Sequence, residues 1–255
     1  MNSWYRALHA EILKLKHTMA LRLVVLIPVG IALLIIAQYI SIAHYMPGHH
    51  AHTAAKAWFS LGRSTFVFWC LLMLPLFVTL ETALLAGLEH NNRQWKHLEA
   101  LALPRNAHYF GKWSMAVLMV ICAHLILLAL IPVAGWVLMF AAPTLGIAGV
   151  PALGPLVGPV AGSMLASLLM ISLQMWVALH WRSFSVAVSV GIFAMVAGFL
   201  IGRSHTWGKF YPWSMPMQVF GKDAHNMTVA IWLGSVAGIV VALIGLYDYL
   251  RRDTA

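Results

Sequence analysis

WSMAVLMVICAHLILLALIPVAGWVLMF, residues 113–140, contains no charged side chain. Coiled as a helix at about 1.5 Å per residue it is about 40 Å long, whereas a bilayer needs only about 20 apolar residues. The rest of the 255-residue chain is built alike, with 62% hydrophobic and 9% charged residues. Soluble domains carry about 25% charged residues, so the solvent for most of this surface is lipid. The surplus of 16 Lys and Arg over 7 Asp and Glu gives +9. A soluble nucleic-acid binder could show that surplus, but not the unbroken apolar runs that accompany it. The same runs exclude disorder, and two cysteines are too few for a disulfide scaffold. Cys70 and Cys122 both fall within apolar runs and read as small core residues.

Six stretches are long enough to span, at about 21–42, 64–88, 113–140, 160–179, 184–201 and 228–250. The third is longer than a perpendicular span requires and is expected to tilt or to project from the bilayer. Pro28, Pro75 and Pro132 lie inside spans and predict kinks, since neighbouring helices can satisfy the carbonyls they free. Six spans put both termini on one side. That side holds Arg6, Lys14, Lys16, Arg22, Arg93, Lys96, Arg105, Lys112, Arg182, Arg251 and Arg252. The other holds only Lys56, Arg63, Arg203, Lys209 and Lys222. By the positive-inside rule both termini are expected in the cytoplasm, and the net charge then serves topology and lipid contact, with no nucleic-acid partner needed. The basic stretch ahead of the first apolar run argues against a cleavable signal peptide. The expected fold class is thus an all-α integral membrane protein, a single transmembrane domain over residues 1–255.

Two segments outside the spans are expected to be helical. In residues 2–18, Trp4, Leu8, Ile12 and Leu15 share one sector while Arg6, Lys14, Lys16 and His17 fan around the rest. This predicts an amphipathic helix in the cytoplasmic interface, either a plain anchor or an elbow that also touches a cytosolic partner. Between spans two and three, Trp95, Leu98 and Ala102 share a helical face, Lys96 and Glu99 lie on another, and Pro104 marks the stop. A connector rarely needs a short amphipathic helix with a Trp, so a docking knob for a soluble partner is the sharper reading.

These residues carry a resemblance. Glu11-Ile12-Leu13-Lys14-Leu15-Lys16 resembles the approach to the first span of type-2 ATP-binding-cassette exporter permeases. Glu89-His90-x-Asn92-x-Gln94-Trp95-Lys96-x-Leu98, then Leu103-Pro104 and Tyr109-x-x-Lys112, is similar to their coupling-helix loop. Tyr211-Pro212-Trp213-Ser214-Met215-Pro216 is similar to an outer-loop element of the branch that includes lantibiotic-immunity and peptide-export permeases. The resemblance implies a permease that pairs with an identical or sister permease and rides on a cytosolic ATPase in a bacterial inner membrane. ATP and Mg would sit on that ATPase, and Glu89, Asn92, Gln94, Trp95, Lys96, Leu98 and Pro104 would form the coupling contact. The interfacial helix would be carried by Trp4, Leu8, Glu11, Lys14 and Lys16. An antimicrobial peptide or another amphipathic compound is the implied cargo. The sequence agrees on the power source. Gly111-Lys112-Trp113 lacks the first glycine and the hydroxyl of a phosphate-binding loop, so the chain holds no nucleotide site of its own and is not itself an enzyme.

A few residues invite other readings. Glu81 is the only acidic residue set back within a span, where a charge costs about 2.5–3.5 kcal/mol on insertion scales. It either braces helices through hydrogen bonds or contacts a proton or cargo. His44, Met46, His49, His50 and His52 cluster in the first outer loop and suit zinc or copper, yet no cysteine or carboxylate accompanies them. They underlie a rival reading as a metal-binding or sensor protein, and gradient-driven transport is the other rival. His124 would ligate haem only with a second histidine at its depth. Trp58, Trp207 and Trp213 fit an outer aromatic belt, and Trp4, Trp95, Trp113 and Trp181 an inner one. Residues 143–159, with glycines at 146, 149, 154 and 158, are expected to form an irregular turn or a broken lead-in to span four.

Overall fold

In hydrocarbon a backbone amide has no water to bond, so each spanning segment must satisfy its own ladder, and helices are the solution available to an open chain. The computed structural model describes residues 18–45, 53–90, 104–181, 183–204 and 206–251, and these are helical wherever they are regular. Among the described residues, six helical segments are long and apolar enough to cross a membrane: Met19–Tyr45, Ala54–Gly87, Arg105–Ala141, Gly154–His180, Phe184–Ile201 and Ala224–Arg251. The chain is a multi-pass membrane protein.

The elements are α1 (Met19–Tyr45), α2 (Ala54–Phe68), a π turn (Trp69–Met73), α3 (Leu74–His90) and α4 (Arg105–Ala141). After a 3-10 turn at Pro143–Leu145 come α5 (Gly154–Ala166), α6 (Leu168–His180), α7 (Phe184–Ile201), the single turn α8 (Met215–Gln218) and α9 (Ala224–Arg251). Side-chain contacts sort the loops into two ends. At the far end Trp58 Nε1 donates to Ala148 O and Arg63 Nε to Phe220 O. At the near end Lys112 Nζ donates to Leu85 O and Arg105 Nη2 to Tyr249 O.

Span two departs from expectation in length and shape. It begins at Ala54, ahead of the apolar run, because Thr53 Oγ1 caps Lys56 N–H and one face, with Ala57, Trp58, Leu61 and Phe66, is buried. Pro75 is accommodated by a π turn that precedes it. The Leu74 N–H reaches back to Trp69 O, five residues away. The proline ring excludes the Leu71 carbonyl from its usual place, and one extra residue per turn moves that carbonyl aside.

The belt assignment of Trp58 and Trp213 needs correction. Trp58 is 1% exposed, its indole filling the slot left by Gly135, where an added Cβ would collide with the ring. Trp213 is buried as well, against Gly198, and only Trp207 of the three stands exposed at 67%. Residues 143–159 are irregular only in part. Gly146 and Gly149 take φ 69°, a left-handed conformation suited to glycine, but the chain is helical again from Gly154, with a proline in its first turn and Pro159 inside.

Span four is interrupted at Ser167, between α5 and α6. The hydroxyls of Ser163 and Ser167 donate to the carbonyls of Val160 and Met164, three residues back, a pairing that bends helices. Against this break lies the buried stripe of α9: Asn226, Ala230, Gly234, Gly238, Ala242, Gly245 and Tyr249. A Cβ on Gly234 would sit 2.5 Å from Ala166 O, and one on Gly238 would sit 2.7 Å from Leu169 N. Small residues let the two backbones touch, which is how helices associate without a hydrophobic drive. Gly234→Leu is therefore expected to lower stability by about 1–3 kcal/mol, read as melting temperature in detergent. Gly30→Ala, at a glycine with nothing within 4 Å, should leave it unchanged. Equal melting of both variants would mean that α9 does not lean on span four.

Candidate functional site

The near end holds most of the polar side chains that the spans bury, and it surrounds the segment joining α3 to α4. Lys112 sits in the second turn of α4, not in a loop as its charge suggested, and is 1% exposed. Its stem crosses to α3, where Nζ donates to Leu85 O over 2.9 Å. A lysine can be buried here because the helix ladder offers a carbonyl oxygen with a spare lone pair. The bond ties together the two helices that carry residues 91–103.

A second set of bonds ties α4 and α6 to α9. Asp248 Oδ2 accepts the indole N–H of Trp176 at 2.9 Å and faces His180 Nδ1 at 3.3 Å. Arg105 donates to Tyr249 O at 3.4 Å and lies 5.7 Å over the Tyr249 ring. Tyr109, buried, abuts Gly245 and Tyr249, and Trp113 Nε1 donates to Ser172 Oγ at 2.9 Å. A third set joins α6 to α7 and sets both against α3. Gln174 Nε2 donates to Ala187 O at 2.8 Å, while Ala83 and Ala86 pack on Ala178 and Ala187. Thr79 presses on Gly191.

Glu81 lies one helical turn before Leu85, with 1% exposure, and neither carboxylate oxygen has a hydrogen-bond partner among the described residues. Arg22, the arginine of α1, is exposed. The described residues therefore supply no brace of the kind expected for Glu81. Thr79 Oγ1 and Gln174 Oε1 are likewise buried without a partner among them. These groups cluster around α3, the helix leading to residue 91.

His124 is accounted for locally. Its Nδ1 faces Val120 O at 2.9 Å and its Nε2 accepts the Trp69 indole N–H at 3.2 Å, with Phe66 stacked on the ring. This tautomer occupies both ring nitrogens within the protein, which leaves neither for haem iron. Cys70 and Cys122 are free thiols. The far-end Tyr211–Pro216 element is a packed plug: Tyr211 Oη donates to Ala194 O at 2.9 Å and Ser214 Oγ to Gly208 O at 2.6 Å. Burial pushes the Tyr211 phenol above its ordinary pKa, so it stays a donor across the physiological range.

Trp4, Leu8, Glu11, Lys14 and Lys16 lie outside the described residues, as do Asn92, Gln94, Trp95, Lys96 and Leu98. So do Met46, His49, His50 and His52; His44, at the end of α1, meets only the edge of Tyr45 in the described set. Glu89 is placed by backbone in the last turn of α3, and Pro104 stands directly before α4, its carbonyl accepting the Ala107 N–H at 3.0 Å. Sequence reasoning missed Gln174, Trp176 and Asp248, and it met Lys112 only as the end of the Tyr109-x-x-Lys112 motif and as a cation of the cytoplasmic side. Gln174 was visible as an amide within an apolar run, and Asp248 as an acid inside the last one.

Replacing Glu81 by Gln removes a buried acid that has no described partner, so the melting temperature in detergent should be equal or higher. A fall of more than a few degrees would show that the carboxylate has a structural partner.

A family model described as ABC-2 family transporter protein matches residues 7–200. No curated protein and no solved structure matches the chain. The matched residues include the whole near-end cluster except Asp248 and Tyr249, and they stop before the plug at the far end.

Proposed function

The chain belongs to the ABC-2 family of transporter proteins, and from that premise we propose that it is the permease of an ATP-driven exporter for amphipathic or peptide-like cargo. Family membership makes it a membrane transport component that works with an ATPase partner. The finer reading is self-immunity or resistance to an antimicrobial peptide, on the lantibiotic-immunity branch. It also includes a bacterial inner membrane, both termini cytoplasmic, and a second permease, identical or homologous, completing the pathway.

The observation that carries the reading is the family match over residues 7–200, in a chain without a phosphate-binding loop of its own. ATP and Mg bind the partner ATPase. The ATPase docks on residues 89–104, through Trp95 and Leu98 with Glu89, Asn92, Gln94 and Lys96 around them. The Trp4–Lys16 helix lies alongside in the interface. A push on that loop reaches α3 and α4 together because Lys112 holds them at Leu85. It passes on through Asp248 and Gln174 to α9 and α7, as a packed two-state contact requires. Large apolar side chains stand exposed on α1, α7 and α9, such as Leu33, Phe193 and Trp232, which gives lipid and a second permease surface to cover.

Glu81 is the one observation favouring gradient-driven transport, since an unpaired buried carboxylate suits a proton site. That alternative predicts efflux that stops with an ionophore and continues without the ATPase. For the exporter reading, the assembled complex in proteoliposomes, given a fluorescent cationic antimicrobial peptide, separates coupling from hydrolysis. Trp95→Ala should reduce ATP-dependent peptide transport by about tenfold or more while hydrolysis persists. Undiminished transport would contradict the role of Trp95.

A further inference from the structure

Arg63, Arg203 and Lys222 come from different parts of the chain and line one far-end cavity of about 450 Å³, with Ser204, Gln218 and Asp223. Arg63, on α2, is half-buried, and its Nε donates to Phe220 O at 2.8 Å. That bond fixes the plane of the guanidinium and leaves the Nη groups as donors on a wall of the cavity. Arg203 follows α7 and lies 5.2 Å over the Phe199 ring, while Lys222 is exposed just ahead of α9. Asp223 is the one carboxylate on the lining, and it is engaged with the helix. Its Oδ1 accepts the backbone N–H groups of His225 at 2.9 Å and Asn226 at 3.4 Å. Three cations thus face one capping carboxylate, and the cavity is net positive. A fixed guanidinium fork with two further cations suits a phosphate oxyanion.

A second, apolar cavity of about 280 Å³ adjoins the first, and Ser204 lines both. Its other walls are Ile201, Trp207, Phe210 and Tyr211, of which Trp207 and Phe210 are exposed. A free anion would use only the first cavity. A molecule with a phosphate head and a hydrocarbon tail would use both, and it is the solvent of this surface. We propose that the paired cavities bind an anionic phospholipid of the leaflet at the far end. Its phosphodiester sits among Arg63, Arg203 and Lys222, and an acyl chain lies on the Trp207 and Phe210 shelf. The head group bridges spans two, five and six, so occupancy is coupled to their spacing. The site is independent of cargo and of the direction of transport, and apart from Arg63 its lining lies beyond the residues that match the family model.

The test uses the full chain in nanodiscs of phosphatidylcholine containing a minor fraction of phosphatidylglycerol. Co-retained lipid is counted by native mass spectrometry after transfer to detergent. Wild type should retain phosphatidylglycerol over phosphatidylcholine, and R203Q/K222Q should lower that preference about tenfold or more. Both positions are exposed, so this variant keeps the fold, and Arg22→Gln with Arg251→Gln at the near end should leave the preference intact. Arg63→Lys should weaken retention while preserving charge, and Trp207→Ala with Phe210→Ala should weaken it without touching the cations. Retention of phosphatidylglycerol by R203Q/K222Q at the wild-type level would overturn the site. If millimolar inorganic phosphate displaces the lipid completely and the aromatic variants bind as wild type, the ligand is a free anion and the lipid assignment falls.

Discussion

The contact on which the bundle depends is the close approach of α9 to the break in span four. Lipid tails are as apolar as leucine, so apolar side chains gain little by turning away from them, and helices in a bilayer associate mainly where their surfaces interlock. Gly234 and Gly238 bring the α9 backbone against Ala166 and Leu168, where the Ser163 and Ser167 hydroxyls bond back to their own helix. With α9 seated there, Tyr249 and Asp248 arrive beside Arg105, Trp176 and His180. At its other end the Asp223 cap and Lys222 come to line the cavity that Arg63 also lines. Both polar ends of the molecule inherit their geometry from a contact made of small residues.

The two ends differ in kind. At the near end charged and amide groups are spent on carbonyls and indoles of neighbouring helices, which lace α3, α4, α6, α7 and α9 into one body. Such a body suits receipt of a mechanical input at residues 91–103. At the far end the hydrogen bonds close a plug, and of the three cations of the adjoining cavity one stands on span two and the others just beyond spans five and six. The mid-membrane layer is largely free of such chemistry. His124 is consumed by Trp69 and Val120, and the oxygens of Thr79, Glu81 and Gln174 that lack a described partner lie toward the near end. Among the described residues little there resembles a path for a hydrophilic ion.

The apolar runs announced the six helices because length and hydropathy are properties of one segment at a time. What escaped the sequence depends on two segments at once. Trp58 looked like an interfacial anchor, and only the missing side chain of Gly135 on α4 makes it a core residue. Lys112 looked like a loop cation because lysine is costly in hydrocarbon, and the carbonyl of Leu85 that relieves the cost belongs to another helix. Pro75 announced a local irregularity, but not that it would take the form of a π turn with Trp69 bonded to His124. At the near end Glu81 was legible as an isolated acid, whereas Asp248 hid near the end of its run and Gln174 in the middle of another. The four-residue spacing of small residues on α9 was present in the sequence, but its partner, a one-residue break at Ser167, was not.

The central claim is that this chain is moved by a separate ATPase. Affinity purification of the tagged protein from its native membranes in mild detergent, with identification of everything that co-elutes, tests it most directly. The account predicts a stoichiometric cytosolic ATPase together with a second permease subunit, identical or homologous. Recovery of the intact permease without any ATPase, at every detergent stringency, would contradict it.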